Sequence, residues 1–126
     1  MKELANIKEV KESLVKLISD DWALVSAGDK DKWNTMTISW GAVGELWGKD
    51  VVFAFIRPQR YTKEFMDNSD YFTVSFFDET YKDALKICGT KSGRDCDKIS
   101  LAGLTPSSDG EAVYPSEARL VIKCRK

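Results

Sequence analysis

The chain has 126 residues, 43% of them hydrophobic, which is enough for one core and too few for two independent domains. Lys plus Arg number 19 against 20 Asp plus Glu, a net charge of -1, so no overall field draws in nucleic acid or an anionic membrane, and any anion site has to be local. With 0 His, the Ser/His/Asp triad, the Cys/His dyad and imidazole metal ligation are excluded, so any enzymatic chemistry falls to other groups or to a borrowed cofactor.

At the N-terminus, "MKELANIKEVKESLVKLI" spreads charges through its length and lacks the apolar run of a secretory signal or membrane span, so a cytoplasmic protein is expected. Val10, Leu14, Leu17 and Ile18 in "EVKESLVKLI" fall at helical spacing and predict an amphipathic helix. "WALVSAG" is β-prone, Gly28 and "DKDKW" mark a turn, and "NTMTISW" alternates, so a hairpin is predicted. In its second strand Met36, Ile38 and Trp40 point one way, toward the core, and Thr35, Thr37 and Ser39 the other. This hydroxyl row reads either as a solvated strand face or as neutral donors and acceptors, with Asn34, for a flat polar ligand or a phosphate.

Glycines break up "GAVGELWGKD", and "VVFAFI" reads as a buried strand ended by Arg57 and Pro58. In "RPQRYT", Arg57 and Arg60 precede a helix through "KEFMDNSD" that Thr62 is placed to cap, a combination suited to an anion or, failing that, to a solvated turn. "YFTVSFF" is a further strand. "TYKDALKICG" puts Tyr81, Ala84, Leu85 and Cys88 on one helical face, with Gly89 as its stop.

The loop "GTKSGRD" combines Lys91, Ser92, Gly93 and Arg94 as a candidate anion nest or a solvated charged loop, without the GxxxxGK[ST] or GxGxxG spacing. A short helical piece "DKISLAG", a loop around "TPSSDG" and a last strand "EARLVIKC" complete the chain. The three cysteines, Cys88, Cys96 and Cys124, have no CxxC pairing and read as reduced thiols, with no metal site. Short strands with a few small helices predict a mainly antiparallel barrel.

Taken in order, "NTMTISWG", "FIRPQRYT", "FTVSFF", "CGTKSGRD" and "EARLVIKC" resemble the flavin reductase-like, FMN-binding split-barrel family, especially its flavoredoxin-like members. The resemblance implies a mainly β single domain, a six-stranded split barrel, a homodimer, and noncovalent FMN near the subunit interface. It implies that Asn34, Thr35, Met36, Thr37, Ser39 and Trp40 line the ring and ribityl chain. Arg57, Arg60, Tyr61 and Thr62 would meet the phosphate, with Lys91, Ser92 and Gly93 closing over it. The activity implied is transfer of hydride or electrons from NADH or NADPH through FMN to an acceptor; a flavoredoxin-like carrier without a nicotinamide site and a flavin-free assembly module are the alternatives. Chains of this family generally continue past the last strand, whereas this sequence stops at Lys126, which implies a barrel incomplete at its C-terminal end or completed by a partner chain.

Overall fold

A computed structural model describes residues 6–126. Its centre is a four-stranded antiparallel sheet in the order β2-β1-β5-β8, built from β1 (Ala23–Gly28), β2 (Trp33–Ile38), β5 (Tyr71–Phe76) and β8 (Leu120–Arg125). Between β2 and β5 lie a separate hairpin, β3 (Gly41–Leu46) and β4 (Lys49–Ala54), and helix α2 (Thr62–Asp67). Helices α3 (Lys82–Thr90) and α4 (Lys98–Leu101) and a small hairpin, β6 (Pro106–Ser108) with β7 (Val113–Pro115), separate β5 from β8. The three sheets do not merge into one closed hydrogen-bonded cylinder, so the fold is a mainly β, open split barrel with short helices.

The strand period places every second side chain on each face of the central sheet. Val25, Met36, Ile38, Phe72, Val74 and Phe76 pack on one face with Leu17 and Ile18 and are flanked by Val43, Val52, Phe65 and Met66. On the other face Leu24 joins Phe77, Leu85, Cys88 and Leu104 beneath α3 and α4. Among the described residues no helix is long and apolar enough to cross a membrane.

Local physics revised several expectations. The N-terminal helix is short: α1 (Leu14–Lys16) starts where the Ser13 side chain accepts from the Lys16 amide, then passes into a π-helical turn (Leu17–Asp21). Val10 is extended, and Met1–Ala5 of the sequence lie outside the described residues. "GAVGEL" is a strand rather than a broken loop. Trp47 (φ 55°) and Gly48 (φ 75°) both sit in the left-handed region, the combination that joins twisted strands through a two-residue turn. Its partner β4 is not buried as expected: Phe53 within it is 44% exposed, and Phe55, just past its end, 59%. Within "TPSSDG" the chain forms β6 rather than remaining irregular.

The β6–β7 hairpin is pinned to β8 by charge. Lys123 Nζ lies 2.8 Å from Asp109 and 2.6 Å from Glu111. The Lys123 hydrogen bond and the Ala112 and Glu111 amides hold the Asp109 carboxyl well below its ordinary range, and Lys123 followed by Tyr71 lowers Glu111. A lowered carboxylate pKa gives stability that is present above the unfolded value, about 4, and is lost as pH falls through the folded one. The urea midpoint should therefore decline as pH drops from about 4 downward, by a small amount because these groups are exposed. Lys123→Met should flatten that part of the profile.

Candidate functional site

Three separated segments meet at one end of β2. The buried Asn34 Nδ2 donates to Thr62 Oγ1 at 2.8 Å, tying the strand to the first residue of α2. Gly93 fits against the other side of this pair: a Cβ there would fall 2.5 Å from Asn34 Oδ1 and 3.0 Å from Tyr61 Cδ2. Only a residue without a side chain allows this three-way approach. Arg94 reinforces it, donating to the Gln59 carbonyl at 3.1 Å, pairing with Glu64 at 3.2 Å, and lying 4.9 Å from the Tyr61 ring.

The meeting point is cationic. Among the described residues Arg57, Arg60 and Lys91 have no carboxylate within ion-pair distance, whereas Arg94 does. Partial burial, followed by the Arg57 charge, pushes the Arg60 guanidinium below its ordinary value. Lys98, at the start of α4, is fully buried beside them; desolvation lowers its ammonium pKa, the Cys88 thiol opposes this, and Arg60 adds to it. The amides of Tyr61, Thr62, Ser92 and Gly93 have no hydrogen-bond acceptor among the described residues. Unpaired cations with spare amides are the groups a local anion site needs, which makes this the candidate in a chain of net charge -1.

The expected site residues divide by role. Thr35 and Met36 are buried and present no ligand surface: Met36 is in the core, and Thr35 Oγ1 is 2.9 Å from Ser26 Oγ and donates to the Val25 carbonyl at 3.1 Å. Thr37 donates its hydroxyl to the Leu85 carbonyl, so it holds α3 against the sheet. Gly89, expected as the helix stop, lies inside α3, where its Cβ would come 3.2 Å from Thr37; it permits that close packing, and the helix ends one residue later. Ser39 is exposed at the end of β2, and Trp40, expected in the core, is 70% exposed because the chain turns there into β3. Thr62 caps nothing: Tyr61 occupies the N-cap position, and the Thr62 hydroxyl is taken by Asn34.

The hydroxyl row is wider than "NTMTIS" suggested. Ser26 lies opposite both Thr35 and Thr73, and Leu24 opposite both Thr37 and Ser75, so hydroxyls from three strands share the face beneath α3 and β7. Thr73 donates to the Val113 carbonyl at 2.8 Å, and Ser75 Oγ is a buried side-chain oxygen without a partner among the described residues. The signal was legible: "YFTVSFF" repeats hydroxyls with the same period of two. Lys98 was missed because one lysine in a short polar helix carries no pattern that announces burial.

Asn34, Tyr61 and Gly93 also line a cleft of about 670 Å³ with Trp33, Arg94 and Lys98. Thr37, Arg57, Arg60 and Lys91 do not line it; Lys91 is joined to it through its carbonyl, which accepts from Lys98 Nζ at 3.1 Å. A neighbouring hollow of about 850 Å³ shares Tyr61 and Phe65 but carries Asp29, Glu64, Asp67, Asp70 and Glu111. That density of carboxylates repels an anion more than the first cleft does, where Asp31, Asp95 and Asp97 are balanced by Lys32, Arg94 and Lys98. All three cysteines are free, and burial pushes the Cys88 thiol up to about 11 against the opposing Lys98 charge, which leaves it un-ionised and unreactive at neutral pH. No group of carboxylates and thiols among the described residues is arranged to hold a metal ion.

Residues 15–126 match the model of the flavin reductase like domain. No curated protein sequence matches the chain. Among solved structures, a flavoredoxin from Methanosarcina acetivorans aligns with a TM-score of 0.73 at 23% identity, over 83% of this chain and 56% of that one. The flavoredoxin of Desulfovibrio vulgaris (Miyazaki F) gives 0.73 at 24% identity, over 92% and 66%. An FMN-binding domain of a flavin reductases-like enzyme from Shewanella baltica OS155 gives 0.73 at 16% identity, over 88% and 60%. These likenesses define the fold, and the chain spans 56% to 66% of the length of the three proteins.

Proposed function

The chain belongs to the flavin reductase-like family, and from that premise we propose that it is a flavoprotein whose FMN phosphate is held where β2, the Arg57–Thr62 segment and the Lys91–Arg94 loop meet. The observation that carries this reading is the set of unpaired cations Arg57, Arg60 and Lys91 beside a glycine cradle whose Cβ position is filled by Asn34 and Tyr61. The residues present fit the group: fixed cations and free amides suit a phosphate dianion. β2 is an edge strand, and edge strands offer unpaired backbone donors and acceptors without charge, which suits a neutral flavin ring. At about 3.4 Å per residue, Asn34 to Ser39 spans roughly 17 Å, comparable to the long dimension of FMN. Ser39 and Trp40 then serve the ring end, while Thr35, Met36 and Thr37 hold the strand from behind.

Bound FMN would supply hydride and electron transfer, which no side chain of this protein offers. The protein's own part is orientation and electrostatics: Arg60 and Lys91 fix the phosphate, Asn34 and Gly93 set the distance between strand and loop, and the buried face under α3 keeps β2 rigid. NADH or NADPH is the proposed electron donor, with a free flavin or another acceptor receiving the electrons. The two flavoredoxins among the neighbours support a second reading, an electron carrier without a nicotinamide site. A homodimer is supported by the β3–β4 hairpin, which exposes Trp40, Phe53 and Phe55 around its base and Trp47 at its turn, a length of aromatic surface that a second copy could cover.

The test of reaction type is anaerobic. The FMN-loaded protein is mixed with NADH or NADPH and bleaching of the flavin bands is followed. Rapid bleaching supports the reductase; bleaching only when a partner reductase is added selects the carrier. A protein that takes up no flavin at all would instead match the assembly-module alternative.

A further inference from the structure

Lys98 is a lysine buried to 2% exposure with no carboxylate partner among the described residues. Lysine is among the side chains least often fully buried, and an ammonium taken out of water needs good acceptors. Lys98 Nζ has two, the carbonyls of Cys88 and Lys91, each at 3.1 Å. Both belong to the C-terminal end of α3 and the residue following it, where carbonyls lack intrahelical donors and the helix presents partial negative charge. The neighbouring Ile87 carbonyl already accepts from the Lys91 amide.

The same side chain closes a loop. Lys91 begins the segment that leads into α4, and Lys98 is the first residue of α4, so the ammonium ties the segment's start to its finish. Inside it the Asp95 and Cys96 amides both donate to the Ser92 carbonyl, at 3.1 and 3.2 Å. Asp97 caps α4 by accepting from the Ser100 amide. The residue at the tip of this closed loop is Gly93, the one pressed against Asn34 and Tyr61.

We infer that Lys98 is a positioning residue for the phosphate end of the flavin site: its buried ammonium ties the two ends of the Lys91–Asp97 loop and thereby fixes Lys91, Ser92 and Gly93 against Asn34 and Tyr61. The ligand in this statement rests on the FMN reading above; the tie itself does not. With its ammonium taken by the Cys88 and Lys91 carbonyls, Lys98 acts on the phosphate end through the loop, so removing its charge should cost the phosphate contribution to binding and leave the ring contribution intact.

The experiment uses the full chain and two readouts. Hydrogen exchange of flavin-free Lys98→Met should show faster exchange confined to residues 89–97, with β1 and β5 as protected as in the unchanged protein. Titration should show FMN affinity falling about tenfold toward that of riboflavin, riboflavin affinity unchanged, and recovery of most of the loss in Lys98→Arg, which keeps the charge and the donors. If Lys98→Met does not fold, Lys98→Gln, which removes the charge but keeps a polar side chain, should show both effects in the same direction. Unchanged exchange in the loop would overturn the inference, as would equal losses of FMN and riboflavin affinity with exchange raised throughout. If the unchanged protein fails to prefer FMN over riboflavin, the FMN reading falls, and the exchange result alone decides whether the tie exists.

Discussion

Gly93→Ala should weaken FMN binding about ten- to a hundredfold while leaving the protein folded. The methyl carbon would sit 2.5 Å from Asn34 Oδ1 and 3.0 Å from the Tyr61 ring, closer than real Cβ contacts come. Asn34 cannot simply swing aside, because it is buried and its amide nitrogen is held by Thr62. The loop must move instead, taking Lys91 and the spare amides away from Arg60. Overpacking of this kind costs about 1–3 kcal/mol, which corresponds to about one to two decades of affinity if it is expressed in the bound state. The check is a flavin-fluorescence titration alongside thermal unfolding. Unchanged FMN affinity in a folded Gly93→Ala protein would show that the Gly93 contact does not shape the site.

The largest effect on stability is expected from Phe76→Ala, at about 3–5 kcal/mol. Phe76 is fully buried on β5, an interior strand paired with both β1 and β8, and packs in the core with Val25, Met36 and Val74. Domains are stable by only about 5–15 kcal/mol, so this one change removes a large share, and the melting temperature should fall by more than about 10 °C. Phe55→Ala is the informative contrast. At 59% exposure its removal should shift a monomer by no more than about 0.5 kcal/mol. In a homodimer that covers the β3–β4 hairpin it should lower the melting temperature further, most at low protein concentration, where the weakened dimer dissociates. Calorimetry at two concentrations separates these outcomes.

How much of this was legible in the chain depends on which force set each element. The period-two alternation of "NTMTI" and "YFTVSF" and the helical spacing of "YKDALKICG" arise from local geometry, and those elements appear where the pattern puts them. Strand β3 was missed, though its partner at "VVFAFI" was expected, because glycines argue for a break, whereas here Gly48 together with Trp47 makes the turn that joins the strands. The N-terminal helix is shorter than its apolar spacing suggests because Ser13 caps it late.

At the site, charge and glycine content singled out "RPQRYT" and "GTKSGRD", and the structure brings Gly93 of the second against Tyr61 of the first. The hydroxyls misled for a physical reason: a sequence cannot say which face of a two-sided sheet is covered. Thr35 and Thr37 found partners in Ser26 and in α3 instead of in solvent or a cleft. Burial of Lys98 was invisible for the same reason, since it depends on two carbonyls supplied by a different helix end.

The most direct measurement is a paired titration of the purified full chain with FMN and with riboflavin, which differ only in the phosphate. If Arg57, Arg60, Lys91 and the Gly93 loop form a phosphate site, FMN binds at least about tenfold more tightly, and the difference shrinks as salt screens the cationic cluster. Equal affinities for the two flavins, unaltered by salt, would contradict it.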